Sequence, residues 1–208
     1  MPYHRLGASS FLRKAALPLV RQRAYATGAT AIDPVQITTL PNQVRVATEA
    51  TPGHFSAVGV YIDAGSRYER PWVPGESGVS HLLDRMAFKS TKGRTAEDME
   101  QLIQAVGGNV MCSSSRETIM YQSSVFNQDI RTVLDVFADT IQNPVIDANE
   151  LGVQREATAW EVSEIWSKPE MILPEIVHAV AYQNNTLGHP LLCPMENLDI
   201  CLLYTSPS

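Results

Sequence analysis

Residues 78–91, GVSHLLDRMAFKST, hold three side chains whose types could meet at one reactive centre: His81, Asp84 and Arg85. Positions four apart on a helix share a side. Two histidines at that spacing can therefore grip one Zn²⁺, with a carboxylate between them to activate the metal's water. Here the first histidine is present, the carboxylate is an aspartate, and arginine stands where the second histidine would be. Asp84 is one methylene shorter than glutamate, which draws its oxygens back from such a water. Arg85 decides the matter, because a guanidinium is always protonated and offers no lone pair. At about 4 Å from a dication and an effective dielectric near 20, it would contribute repulsion of about 8 kcal/mol. The stretch keeps the shape of a metal-binding helix without the means to bind the metal.

Such a helix needs a scaffold. Val79, Leu82, Leu83, Met86 and Ala87 make one apolar stripe, with Ser77 placed to cap it, and put His81, Asp84 and Arg85 on the opposite side. Upstream, QITTLPNQVRVATEA reads as two strands around a Pro-Asn turn, and FSAVGVYIDAG as a central strand buried on both faces. Downstream, a helix runs from near Thr95 to Gly107-Gly108, and NVMCSSS and TIMYQSSVF form a strand pair around Ser115-Arg116-Glu117. A third helix buries Ile130, Val133, Leu134, Phe137 and Ile141 and stops at Asn143-Pro144. A fourth opens with Asp147 and Glu150 in capping-box spacing and reaches about Trp166, and a last helical stretch lies around Ile176–Tyr182. Strand pairs alternating with helices predict an α+β domain, a largely antiparallel sheet backed by helices.

The chain has 208 residues, 44% of them apolar, enough for an ordinary packed globule. No apolar run reaches the roughly 20 residues that span a bilayer. Residues 1–32 carry Arg5, Arg13, Lys14, Arg21 and Arg23 and no acid; the other 11 of the 16 bases face all 22 acids, a net of −11 for the remainder. An acidic body argues against nucleic-acid binding and suits a basic peptide partner. The acid-free, Ala- and Ser-rich opening has the composition of a mitochondrial transit peptide, residues 1–25, with cleavage expected between Tyr25 and Ala26. A linker, 26–37, follows. Cys112, Cys193 and Cys201 are odd in number and contain no C-x-x-C pair, which argues against a disulfide framework and for a reducing compartment.

GVSHLLDRMAFKST resembles the H-x-x-E-H active-site helix of the pitrilysin-like, M16-type metallopeptidases and its surroundings. TTLPNQVRVATEATPGHFSAVGVYIDAGSRYE and EIWSKPEMILPEIVHAVAYQNNTLGHPLLCP extend the resemblance over about residues 38–200. It implies the M16 metallohydrolase fold, present as an incomplete first half, with CLLYTSPS at 201–208 reading as a non-native tail. Within the family the likeness is to non-catalytic subunits of the mitochondrial matrix. They bind basic presequence peptides and pair as a heterodimer with a zinc-bearing β subunit that cuts those presequences. On that reading His81 matches the first ligand, Asp84 the catalytic glutamate, Arg85 the second ligand and Glu161 the third, while Gln154 replaces a supporting glutamate. No catalytic residue, metal or other cofactor is then expected in this chain, and Arg85 is expected to pair with Asp84, Glu161 or another carboxylate. The acidic group Glu161, Glu164, Glu170 and Glu175 could attract basic peptides or serve as a solvated helix face. NVMCSSSRE occupies the position of the family's substrate-holding edge, but Met111 and Cys112 favour an ordinary sheet strand. Two alternatives stay open: a structural core subunit of the respiratory bc1 complex, and a self-sufficient metallopeptidase with atypical ligands.

Overall fold

A computed structural model of the chain describes residues 35–200, which fall into two compact units divided after Pro52. The transit-peptide, cleavage-site and tail readings lie outside the described residues, as does Cys201. The first unit holds the expected hairpin, β1 (Gln36–Thr39) antiparallel to β2 (Arg45–Thr48) with Gln36 opposite Thr48. Its turn closes through Leu40 N–H to the Val44 carbonyl at 2.8 Å and Val44 N–H to Asn42 Oδ1 at 3.2 Å.

The second unit is built on an antiparallel sheet of β3 (Phe55–Ile62), β4 (Asn109–Ser114) and β5 (Ile119–Phe126) in the order β3-β5-β4. β5 is the central strand. FSAVGVYI is an outer strand with alternating exposure, which corrects the expectation of a strand buried on both faces. Its apolar run misleads because Phe55 and Tyr61 cover the open face while Val58, Val60 and Ile62 pack inward. The helices are α1 (Val79–Arg85), α2 (Ala96–Val106), α3 (Ile130–Gln142), α4 (Ala148–Trp166) and α5 (Pro169–Ala181). No helix among the described residues is long and apolar enough to cross a membrane.

Two apolar clusters organise this unit. The larger joins Met99, Val106, Ile119, Tyr121, Val125, Val133, Val136 and Phe137, packing α2 and α3 on the sheet. The smaller joins Leu82 of α1, Leu151 of α4, and Cys193 and Leu198 from the segment after α5. It is the smaller cluster that sets α1 against α4.

Helix ends follow local chemistry. Thr95 Oγ1 accepts from Asp98 N–H at 3.1 Å and Asp98 Oδ2 accepts from Thr95 N–H at 3.2 Å, a complete capping box; Gly107 then ends α2 in a left-handed conformation. Asp147 caps α4 through Asn149 and Glu150 N–H, but Glu150 does not reach back. Its carboxylate is taken by Ser90 N–H at 3.2 Å and by the Ser90 hydroxyl, so the expected box is half made. α5 starts at Pro169, well before the expected Ile176, because proline at the first helical position forfeits no hydrogen bond.

Cys112 lines β4 half-buried against the larger cluster. Burial first, and the nearby Asp84 charge second, push its thiol up to about 12. Alkylation of Cys112 at neutral pH is therefore expected to be negligible in the folded chain and normal once denatured, checked by mass-resolved iodoacetamide labelling.

Candidate functional site

α1 enters the site abruptly. Its N-cap is Gly78, left-handed at φ 90°, and Ser77 makes no cap, which corrects the expected start. The capping group comes from an earlier loop: Glu69, 8% exposed, accepts from Gly78 N–H at 2.7 Å and Ser80 N–H at 2.8 Å. Desolvation raises the Glu69 carboxyl above its ordinary value, and those two backbone hydrogen bonds partly offset the rise.

The helix also buries a side that its apolar stripe left for solvent. His81 is 4% exposed beside Leu82 at 0%, whereas Leu83 is 37% exposed. The segment 187–198 covers the His81 side of α1, and a stripe read within one helix cannot register a cover that arrives from so far along the chain.

His81, Arg85 and Glu161, matched to the ligand positions, converge at one point, and Asp84, matched to the catalytic glutamate, borders them. Arg85 Nη2 donates to Glu161 Oε1 at 2.5 Å, and Arg85 Nε lies 3.6 Å from Asp84 Oδ1. His81 Nε2 stands 3.6 Å from Glu161 Oε2, and His81 Nδ1 accepts from the Cys193 backbone N–H at 3.1 Å. Asp84, the fourth, turns its other oxygen to β4, accepting from Ser114 N–H at 2.9 Å and Ser114 Oγ at 2.8 Å. Burial lowers the His81 pKa below 6.5 against the opposing pull of the Glu161 and Asp84 carboxylates, so the ring is neutral at neutral pH.

This donor set does not fit zinc. A catalytic site needs three ligand side chains with lone pairs directed at one point. Arg85 brings a cation to that point and occupies one oxygen of Glu161, and Asp84 is committed to Ser114. Among the described residues, no group of three or more His, Cys, Asp or Glu side chains is arranged to hold a metal ion. What the cluster can do is join elements: Arg85 links α1 to α4, and Asp84 links α1 to β4.

The wider acidic group is largely engaged. Glu164 pairs with Lys168 at 2.5 Å, and Glu175 takes Arg116 Nη2 at 2.8 Å and Leu191 N–H at 3.0 Å. His189 is buried with Nδ1 at 3.1 Å from the Ser66 carbonyl, and His178 Nδ1 meets the Pro174 carbonyl at 2.9 Å, so both have structural partners. Sequence reasoning missed Glu69 and Cys193. Both lie inside stretches that carry the family resemblance, yet nothing in those stretches marks their roles; the signal for Glu69 is an acid shortly before a helix that lacks its own capping side chain.

Residues 45–195 match the family model described as Insulinase (Peptidase family M16). The chain is 51% identical over 193 residues to the mitochondrial-processing peptidase subunit alpha of Neurospora crassa, covering 90% of this chain and 33% of that protein. It is 36% identical over 164 residues to the mitochondrial-processing peptidase subunit beta of Blastocladiella emersonii, covering 78% of this chain and 35% of that protein. A protease from Helicobacter pylori superposes with a TM-score of 0.70 at 22% identity, over 82% of this chain and 41% of that one, a likeness of fold. The chain spans about a third of the length of the curated relatives it matches.

Proposed function

The chain belongs to the insulinase, or M16, peptidase family, and from that premise we propose that it serves as the non-catalytic alpha-type subunit of a mitochondrial processing peptidase. In this role it binds basic presequences and supports a zinc-bearing beta subunit that cleaves them. The Arg85–Glu161 pair carries the reading: a permanent cation and a carboxylate are joined at 2.5 Å where the family's chemistry needs a dication. Greater identity to an alpha subunit, 51%, than to a beta subunit, 36%, supports the choice between the two subunit types. The net −11 of the chain beyond residue 32 favours basic peptides electrostatically. The basic segment 1–25 would deliver the protein to the matrix and be removed after Tyr25, leaving the domain from about residue 38.

Affinity capture of the tagged full-length subunit from mitochondria tests the proposal, followed by metal analysis and presequence cleavage with and without the captured partner. Zinc is expected in stoichiometric amount only with the partner, and cleavage only with both subunits together. Stoichiometric zinc on the separated subunit, cleavage by it alone, or co-purification with cytochromes in place of a zinc protein would overturn the proposal.

A further inference from the structure

We infer that the main chain of Cys193 locks His81 as a hydrogen-bond donor at Nε2, and that this lock keeps a metal off the ring independently of Arg85. A backbone N–H can only donate. With Cys193 N at 3.1 Å from His81 Nδ1, the ring's one lone pair lies on Nδ1 and its one proton on Nε2. That proton faces Glu161, whose Oε2 is 3.6 Å from Nε2. A metal binds a neutral imidazole through a free lone pair. Seating one at Nε2 would drive the proton to Nδ1, where it would meet the Cys193 N–H head on.

Cys193 has nowhere to retreat. It is fully buried, and a Cβ built on Gly78 would stand 2.5 Å from the Cys193 Cα, so the two backbones are already in close contact. The surrounding segment is pinned at nearly every second residue. Arg116 Nε donates to the Leu187 carbonyl at 2.9 Å, His189 Nδ1 to the Ser66 carbonyl at 3.1 Å, Leu191 N–H to Glu175 Oε2 at 3.0 Å, and Asn197 Nδ2 to the Ser77 carbonyl at 3.1 Å. The strap formed by residues 187–197 thus reads the tautomer of His81. Metal on the ring and an intact strap exclude each other.

One consequence is that Arg85→His, which supplies a second histidine at the right spacing, rebuilds at most a weakened zinc site, and only by breaking the Cys193 hydrogen bond. Leaving the Cys193 N–H buried without an acceptor weakens binding at His81 on the order of 10- to 100-fold relative to an unstrapped ring. The lock therefore deepens the metal-free reading above but fails separately from it, since the tautomer can prove wrong while Arg85 still prevents catalysis.

The test is a long-range proton–nitrogen NMR spectrum of the ¹⁵N-labelled 208-residue chain at neutral pH, with His81 assigned by its loss in His81→Gln. A pyridine-like Nδ1 and a protonated Nε2 are expected. A protonated Nδ1, or a mixture of tautomers, would overturn the lock. Arg85→His titrated with Zn²⁺ alone gives the second readout. No binding through His81, or binding accompanied by lost hydrogen-exchange protection of the Cys193 amide, supports the lock; Zn²⁺ on Nε2 with that protection intact overturns it. If Arg85→His does not fold, the unsubstituted chain's spectrum decides.

Discussion

Replacing Gly78 by alanine is expected to cost more than about 3 kcal/mol, enough to lose the native packing around α1. Two costs combine. Gly78 holds φ 90°, a left-handed conformation that side chains disfavour by about 1–2 kcal/mol. The added Cβ would also stand 2.5 Å from the Cα, 2.6 Å from the Sγ and 2.7 Å from the Cβ of Cys193. Part of that obstacle is main chain held by the pins on either side, so no rotamer change relieves it. Overpacking of this kind adds about 1–3 kcal/mol, or more when backbone must shift. Urea unfolding should show a large drop in midpoint, and the Cys193 thiol should become reactive in the native baseline. A variant within about 1 kcal/mol of the parent chain would mean that the contact between α1 and the 187–197 strap is looser than described.

Removal of the Glu69 carboxylate should be nearly as damaging. Glu69→Ala leaves the N–H groups of Gly78 and Ser80 without their acceptor at a buried helix start, and each orphaned donor costs about 1–3 kcal/mol. A total near 3 kcal/mol is expected by chemical denaturation. Glu69→Gln retains one acceptor oxygen and should lose less. The carboxyl also makes stability depend on pH in a definite direction. Burial raises its folded-state pKa above 4.5, so the protonated form favours the fold. Its contribution is fully present below 4.5 and declines as pH rises through the raised value. The stability of the parent chain relative to Glu69→Gln should therefore fall as pH is raised through that window. A difference that instead grows with pH would show that the two backbone donors outweigh desolvation at this carboxylate.

The parts legible in the sequence are those with local causes. Thr95 with Asp98 announces the start of α2 and Gly107 its end, and Asn143-Pro144 announces the end of α3, because caps and breakers act over a few residues. At the centre of the site the charge of Arg85 alone predicts a carboxylate partner, and Glu161 and Asp84 supply it. The long-range groups were not legible. Glu69 acts across 11 residues and Cys193 across 112, and Cys193 acts through its backbone, which no side-chain pattern reveals. The same distance explains the misplaced His81, since the strap that buries it lies outside the periodicity of its own helix. β3 misled for a different reason: an apolar run marks a strand but does not say whether a neighbour covers each side or only one.

The two apolar clusters mature at different points in the growth of the polypeptide. The larger is assembled from residues up to Phe137, so it can consolidate while the remainder is still being translated. The smaller waits for Cys193 and Leu198. Until those residues arrive, Leu82 lacks two of its three buried cluster partners and His81 its partner at Nδ1. During that interval the α1 region is the uncovered portion of a polypeptide whose three sheet strands have all been made.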